Sequence, residues 1–138
     1  MKKYAILGIL LLFVSVAFAQ EAKVEPPVIK TDGPILTLEK NTHDFGDIYQ
    51  GDVVEHTFKF TNTGNQPLLI TNITTSCGCT TPSWPRDPIM PGGKGELKVG
   101  FNSAGKINKQ TKVLPIISNS ITDVSITFTT NVLDKKPQ

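Results

Sequence analysis

The sequence predicts an all-β sandwich of about seven strands, and three observations support this prediction. Residues 53–62, 94–102 and 122–133 alternate apolar and polar side chains, which is typical of strands with one buried face. Clusters of turn-forming residues, such as 62–67, separate the strand segments at intervals of roughly 8–12 residues. No segment after the N-terminal leader has the periodicity of an amphipathic helix. This pattern fits an immunoglobulin-like β-sandwich, with a small barrel as the alternative.

The first 19 residues predict a cleavable signal peptide. Lys2 and Lys3 supply the positive charge, residues 4–16 are mostly apolar, and Ala-Phe-Ala at 17–19 provides the small residues that signal peptidase reads. The apolar run is shorter than the roughly 20 residues that a membrane span needs. We therefore expect cleavage after Ala19, a location in the periplasm or outside the cell, and no membrane span after cleavage.

The charge of the chain argues against binding to nucleic acid. The sequence has 14 Lys and Arg against 12 Asp and Glu, a formal net charge of +2. The two lysines of the leader account for that excess, so the exported part is neutral. Because a neutral, mixed surface has no basic footprint, we expect no nucleic-acid partner. The expected partner is an envelope or extracellular protein of unknown identity.

The rest of the chain divides into a linker, the sandwich and a tail. Residues 20–34 contain three prolines and predict a flexible or polyproline-like linker. The sandwich then occupies 35–133, and 134–138 form a polar tail. Four prolines between positions 82 and 91 exclude a helix or a central strand there. The predicted strands are 35–39, 44–48 with a kink at Gly46, 53–62, 68–74, 94–102, 110–118 and 122–133.

The segment Ser-Cys-Gly-Cys-Thr at 76–80 holds both cysteines, which have three interpretations. In the first, Cys77 and Cys79 form a disulfide, because Cα atoms at this spacing lie roughly 5.5–7 Å apart and a disulfide accepts about 4.4–6.8 Å. Gly78 tolerates the backbone angles that such a small ring requires. Because the loop is so short, the entropic stabilisation would be small.

In the second interpretation, Cys77 and Cys79 bind a soft metal, either Cu(I) or zinc. Zinc needs two further ligands, for which only His43, His56 and carboxylates are available. We expect His56 to be a packed core residue and His43, beside Asp44, to be solvated or hydrogen-bonded. The third interpretation is thiol–disulfide exchange. It has the least support, because the sequence has no Cys-x-x-Cys motif and predicts no helix whose N-terminus would lower the pKa of a thiol. A structural role is favoured.

The loop that follows the cysteines contains the only tryptophan, Trp84. One interpretation is a lid that folds back over one end of the sandwich, since a large apolar side chain usually finds cover. The other is a partner-binding patch of Trp84, Arg86 and Met90, because these residue types are enriched at interfaces. The lid is favoured, although end loops of such sandwiches often carry recognition.

No catalytic motif occurs in the sequence. The nucleophile elbow Gly-x-Ser-x-Gly, the phosphate loop and His-Glu-x-x-His are all absent. Asp44 and Asp47 flank Gly46, but the twelve-residue calcium loop is also absent, so we interpret them as caps and turn residues. We expect a protein that is not an enzyme and has no cofactor.

Four motifs, taken in order, resemble a family of exported bacterial proteins of unknown function. They are Phe-Lys-Phe-Thr-Asn-Thr-Gly at 58–64, Pro-Leu-Leu-Ile at 67–70, Ser-Cys-Gly-Cys-Thr at 76–80 and Pro-Ile-Met-Pro-Gly-Gly at 88–93. The resemblance covers roughly residues 35–133. That family is similar to hydin-type and major-sperm-protein-type immunoglobulin-like domains, which generally act as binding or structural modules. The resemblance therefore implies this fold and a non-catalytic binding or structural role in the cell envelope.

Overall fold

Two four-stranded sheets account for residues 32–134, the part of the chain that the computed structural model describes. Sheet A has the strand order β1-β3-β6-β5, and sheet B has the order β2-β8-β7-β4. This arrangement confirms the prediction of an all-β, immunoglobulin-like sandwich. The strands are β1 (Leu36–Leu38), β2 (Thr42–Tyr49), β3 (Val53–Asn62), β4 (Ile70–Ile73), β5 (Thr80–Ser83), β6 (Lys94–Asn102), β7 (Asn108–Ser118) and β8 (Val124–Leu133).

Neighbouring strands are antiparallel except for β2 and β8, which run parallel. The pairing of β2 with β8 shifts register between Asp44 and Asp47. Gly46 lies at this point with φ of 70°, a left-handed conformation that glycine adopts without strain. The Oδ1 atom of Asp44 accepts a hydrogen bond from the Gly46 N–H at 2.8 Å. The kink predicted at Gly46 is thus a β-bulge in an edge strand.

The core lies between the sheets and consists of the alternating inward side chains of both. Phe58, Phe60 and Phe101 come from sheet A, and Phe128 comes from sheet B. The ring centroids of Phe101 and Phe128 are 5.2 Å apart, so these two rings join the sheets directly. Full burial of each such side chain contributes roughly 1.5–3 kcal/mol.

Strand β5 was not among the predicted strands, which numbered about seven where the structure has eight. It lies at the edge of sheet A and contains Pro82. The carbonyl of Cys79 accepts a hydrogen bond from the Asn102 N–H. In an antiparallel pair the backbone N–H and C=O groups of every second residue point to the neighbouring strand, so those of Thr81 and Ser83 also point to β6. The Pro82 nitrogen therefore faces the free edge, where the missing N–H costs no ladder hydrogen bond.

The contacts of the sandwich begin slightly before position 35. The Gly33 N–H donates to Asn65 Oδ1 at 2.8 Å, and the Pro34 carbonyl accepts from the Ile121 N–H at 2.9 Å. Both Gly33 and Pro34 are buried. The predicted signal peptide, most of the predicted linker and the last four residues lie outside the described part of the chain. Within residues 32–134, no helix is long and apolar enough to cross a membrane.

The Asn-Thr-Gly motif at 62–64 joins three segments at one end of the sandwich. Asn62 is fully buried; its Oδ1 accepts from the N–H groups of Ile35 and Gly64, and its Nδ2 donates to the carbonyls of Gln66 and Ile89. A Cβ at Gly64 would collide with the backbone at Gly33. The motif is therefore explained by a buried hydrogen-bonding hub and a close backbone approach.

Candidate functional site

Cys77 and Cys79 are joined by a disulfide in the connection between β4 and β5, which carries the chain from sheet B to sheet A. Their Cα atoms are 5.3 Å apart, within the range that a disulfide accepts. Cys79 packs against the core, and Thr80 Oγ1 lies 3.9–4.0 Å from both sulfur atoms. Because the disulfide occupies both sulfurs, metal binding would first require its reduction.

The described part of the chain places no set of metal ligands beside the disulfide. Among residues 32–134, no group of three or more His, Cys, Asp or Glu side chains could hold a metal ion. His43 and His56, the two histidines considered as ligands, contact each other in a separate cluster with Phe45 and Phe58. Soft-metal binding by Cys77 and Cys79 stays a prediction.

Trp84 follows β5, is half-buried and packs against the core. Its Nε1 is buried, and among the described residues it has no hydrogen-bond partner. The guanidinium carbon of the exposed Arg86 lies 4.2 Å from the centroid of the Trp84 ring. Stacking of this kind covers the outer side of the ring and contributes roughly 0.5–1 kcal/mol at an exposed site.

Met90 lies in the next turn, where its carbonyl accepts a hydrogen bond from the Gly93 N–H. Its side chain is 61% exposed. This turn leads into the first residue of β6, whereas the Cys79 carbonyl is bonded to Asn102 at the last residue of β6. The length of β6, roughly 27 Å at about 3.4 Å per residue, therefore separates the disulfide from Met90. Residues 76–90, which are continuous in the sequence, therefore extend along β6 at one edge of sheet A and do not cluster at one end of the sandwich.

His43 of β2 and His56 of β3 stack across the side of the sandwich. Their ring centroids are 3.5 Å apart, and their planes differ by 7°. Both side chains are half-buried, so His43 is less solvated than the sequence suggested. Burial, then the charge of His43 and then that of Lys40 lower the pKa of His56 below its ordinary value. The stack is therefore most favourable when His56 is neutral.

The outer surface of sheet A carries charges of both signs. We call it the charged face; its charged residues on β3 and β6 are Glu55, Lys59, Lys94, Glu96 and Lys98. Lys59 is directly opposite Glu96 in the ladder, and the Lys98 Nζ lies 3.7 Å from Glu55 Oε2. Both partners of that ion pair are mostly exposed, so the face is well solvated.

The outer surface of sheet B is different, because no charged side chain lies in its centre. Val113 and Ile117 of β7 are 54% and 48% exposed, and Leu69 is 37% exposed. In the ladder, Val113 is opposite Thr127 and Pro115 is opposite Ser125. Charged residues lie at both ends of this surface: Lys109, Asp44 and Asp47 at one end, and the exposed Asp123, directly before β8, at the other. We call this surface the uncharged face, defined by Leu69, Val113, Pro115, Ile117, Ser125 and Thr127.

The sequence analysis missed the uncharged face, although a signal for it is present. In the predicted strand 110–118, Leu114 and Ile116 lie on one side, so alternation places Val113, Pro115 and Ile117 on the other side. A strand with apolar residues on both faces is either covered on both sides or exposes an apolar surface. Within the described chain, no element covers this side of β7.

These features define the chain as an immunoglobulin-like β-sandwich protein. Residues 36–132 match the family described as "Protein of unknown function (DUF1573)", and the chain belongs to that family. The resemblance expected from the sequence motifs is thereby confirmed. No curated protein matches the chain.

Solved structures share the fold at low sequence identity. A protein of unknown function from Porphyromonas gingivalis W83 is 20% identical with a TM-score of 0.63, over 77% of this chain and 50% of that one. The ASH/PapD-like domain 7 of human CEP192 is 9% identical with a TM-score of 0.62, over 88% and 98%. The secreted serine protease VesC from Vibrio cholerae is 18% identical with a TM-score of 0.55, over 75% and 24%. The chain thus spans half of the Porphyromonas protein and about a quarter of VesC.

Proposed function

We propose that this chain is an exported, non-catalytic module that binds a protein of the cell envelope through its uncharged face. Export is supported by the leader at residues 1–19, and a non-catalytic role by the lack of a catalytic motif in the sequence. The proposal concerns binding or structural organisation, in the periplasm or outside the cell.

The observation that carries the proposal is the difference between the two outer faces. A partner that covered the charged face would have to desolvate five charged side chains, which is costly unless each is paired again. A partner on the uncharged face would remove Val113, Ile117 and Leu69 from water, which is favourable in proportion to the apolar area buried. Contiguous exposed apolar surface of this kind marks interaction sites in soluble proteins.

The partner-binding residues predicted from the sequence, Trp84, Arg86 and Met90, are a second region of contact in this proposal. The exposed side chain of Met90 and the stacked guanidinium of Arg86 support it. Trp84 directly follows β5 of sheet A. Met90 instead follows Ile89, which pairs with Leu68, so this end of the segment lies close to Leu69 of the uncharged face. Substitution of Trp84, next to the edge strand β5, therefore tests this region separately from Val113.

The test is a capture experiment with two matched substitutions of valine by lysine. Val113→Lys places a charge in the uncharged face, whereas Val53→Lys places one on the outer side of sheet A, where Val53 is 65% exposed. Each tagged chain is expressed in its native envelope, cross-linked briefly and purified, and the bound proteins are quantified by mass spectrometry. We expect Val113→Lys to reduce specific capture at least about tenfold, since an unpaired charge would be desolvated.

Val53→Lys is expected to capture as much as the unmodified chain. Equal loss in both variants, or no loss in either, would contradict the assignment of the uncharged face. Loss only in Trp84→Ala would instead move the contact to the edge of sheet A. Fractionation of cells, with N-terminal sequencing of the recovered chain, tests export: recovery in the cytoplasm with residues 1–19 still attached would refute it.

A further inference from the structure

We infer that the disulfide between Cys77 and Cys79 is a reversible redox site, which exchanges with a thiol reductant while the sandwich stays folded. The site lies in the connection between β4 and β5 and does not depend on the uncharged face. The exchange is stoichiometric, so it adds a redox-responsive site to a non-catalytic module. Thiol–disulfide exchange had the least support in the sequence, but three features of the structure favour it.

The first feature is that the disulfide joins two residues of one connection and cross-links no pair of strands. Ladder pairing holds every described strand in its sheet. By linkage, the fold favours the closed disulfide only as much as the disulfide favours the fold. A loop of three residues gives a factor of about 15, compared with roughly 3,000 for a loop of 100 residues. The fold therefore protects this bond only weakly from reduction, and the dithiol form should stay folded.

The second feature is the difference between the surroundings of the two cysteines. Both side chains are half-buried, but in the described chain Cys79 packs against the hydrophobic core and Cys77 does not. Ser76 and Gly78, on either side of Cys77, are exposed, and a Cβ at Gly78 would meet no described atom within 4 Å. A thiolate can therefore approach the Cys77 sulfur from solvent. The Cys79 carbonyl accepts a hydrogen bond from Asn102, which holds this residue in place as the leaving group.

The third feature is the hydroxyl group of Thr80. Thr80 is 5% exposed, and its Oγ1 lies 4.0 Å from the sulfur of Cys77 and 3.9 Å from that of Cys79. Among residues 32–134, these two sulfurs are the only hydrogen-bond contacts of that hydroxyl. A thiolate accepts a stronger hydrogen bond than a disulfide sulfur does, because the thiolate is charged. The Thr80 hydroxyl is therefore placed to stabilise the thiolate that leaves from Cys79.

The exchange takes place in two steps and transfers two electrons. A thiolate RS⁻ attacks the sulfur of Cys77, which forms a mixed disulfide with R and expels Cys79 as a thiolate. A second RS⁻ then attacks the sulfur of R in the mixed disulfide, which releases Cys77 as a thiolate. Each protein thiolate takes up a proton that one RSH has lost. Two RSH are thus oxidised to one RSSR, and the protein gains two electrons and two protons.

The experiment equilibrates the purified exported chain with glutathione mixtures of increasing reduced fraction. Free thiols are alkylated and counted by mass spectrometry, and circular dichroism measures folding in each mixture. Structural disulfides resist reduction by glutathione, whereas here we expect both forms to be populated, with the same fractions reached from the oxidised and the reduced chain. A chain that stays oxidised in every mixture, or that loses its folded spectrum on reduction, would overturn the inference.

Two single-cysteine variants test which sulfur is attacked. Cys79→Ser leaves only the thiol of Cys77, and Cys77→Ser leaves only that of Cys79. Formation of the mixed disulfide with oxidised glutathione should be at least about threefold faster in Cys79→Ser, because its remaining thiol is the more accessible one. Equal rates, or a faster reaction in Cys77→Ser, would overturn the assignment of Cys77 as the attacked residue.

Three further variants test the hydroxyl of Thr80. Thr80→Val keeps the shape of the side chain and should slow reduction by glutathione about two- to tenfold, the effect of one hydrogen bond. Thr80→Ser keeps a hydroxyl and should restore most of the rate, whereas Thr81→Val, the same change at an exposed neighbour, should react as the unmodified chain does. An unchanged rate in Thr80→Val, or an equal loss in Thr80→Ser, would overturn the role of the hydroxyl.

Discussion

The two outer faces of the sandwich are each formed by four strands but differ in surface chemistry. On sheet A, the outward positions of β3 and β6 alternate with the core and are rich in lysine and glutamate. On sheet B, the outward positions of β7 and β8 are uncharged except for Lys109, which lies at one end. Both sheets bury an apolar inner face, so the need for a core does not explain the difference between the outer faces. This difference is the basis for the proposal that the solvent side of sheet B is a contact surface.

The largest expected effect is on the stability of the sandwich as a whole. It should leave the difference between the two outer faces unchanged. Asn62→Ala removes four hydrogen bonds from a fully buried hub and leaves their backbone partners unsatisfied. At roughly 0.5–1.5 kcal/mol for each of the four bonds, we expect the free energy of unfolding to fall by about 2–6 kcal/mol. Urea unfolding followed by tryptophan fluorescence measures the change.

The exposed neighbour Asn65 provides a milder comparison, since among residues 32–134 its side chain bonds to Gly33 and Asp32 and is not buried. Asn65→Ala should cost less than Asn62→Ala. At temperatures where Asn62→Ala is still folded, its binding through the uncharged face should equal that of the unmodified chain. A stability loss below about 1 kcal/mol for Asn62→Ala would show that the hub is not essential.

Removal of the disulfide should lower the free energy of unfolding by less. The disulfide lies at the end of sheet A near Asn102. The cross-link closes a loop of only three residues, so a chain-entropy treatment gives about 1.6 kcal/mol. A Cys77→Ser and Cys79→Ser double variant should lose no more than this in urea unfolding. Ser76→Ala is the control for a neighbouring polar change.

The same variant decides the prediction of soft-metal binding. Anaerobic titration of the reduced, unmodified chain with Cu(I) should show thiolate-to-metal absorption if the two sulfurs bind the ion. The double serine variant should show none. Equal binding by both proteins, or binding weaker than micromolar by the reduced chain, would contradict a role for Cys77 and Cys79 in metal binding.

A pH effect is expected at the His43–His56 stack, on the side where β2 meets β3. Burial, His43 and Lys40 together hold the pKa of His56 below its ordinary value, so the unfolded chain binds a proton more readily than the folded one. The stabilising contribution is therefore complete above the ordinary pKa of about 6.5 and is lost as pH falls through the lowered value. Urea unfolding between pH 7.5 and 5 should show this decline in stability.

The variant His56→Gln removes the titrating group and should flatten that part of the pH profile. Binding through the uncharged face should change little over the same range, because its six defining residues do not titrate. Stability that rises as pH falls from 7.5 to 5 would contradict the lowered pKa of His56.

The smallest effect is expected on the charged face itself. Lys98→Ala removes the ion pair with Glu55, whose partners are 59% and 60% exposed. Exposed pairs of this kind contribute little, so we expect a change below about 0.5 kcal/mol that disappears in high salt. Urea unfolding at low and high salt measures it. A loss above about 1 kcal/mol would mean that the charged face is structurally important rather than merely solvated.

The sequence was sufficient for most of the fold because apolar alternation determines which side of a strand is buried. The strands at 53–62 and 94–102 were predicted with their observed limits. Strand β5 was not predicted, because it contains Pro82 and a proline argues against a strand unless that strand lies at a sheet edge. Likewise, the hydrogen bonds of Asn62 span segments up to 27 residues apart and cannot be deduced from a local turn signal.

The candidate surface was harder to predict than the core. Alternation identifies Leu114 and Ile116 as inward, but only the sheet order shows that nothing in the described chain covers Val113 and Ile117 on the other side. The stack of His43 on His56 depends in the same way on the approach of two sheets. Local sequence patterns carry no information on such contacts between distant segments.

Hydroxyl-radical footprinting of the chain in isolated envelopes, compared with dilute purified protein, tests the contrast between the faces most directly. Side chains that a partner covers become less reactive in the envelope sample. We predict protection of Val113, Ile117 and Leu69, with no change at Val53 or Lys98. Protection of the charged face alone, or equal reactivity of both faces in the two samples, would contradict the assignment of the uncharged face as the contact surface.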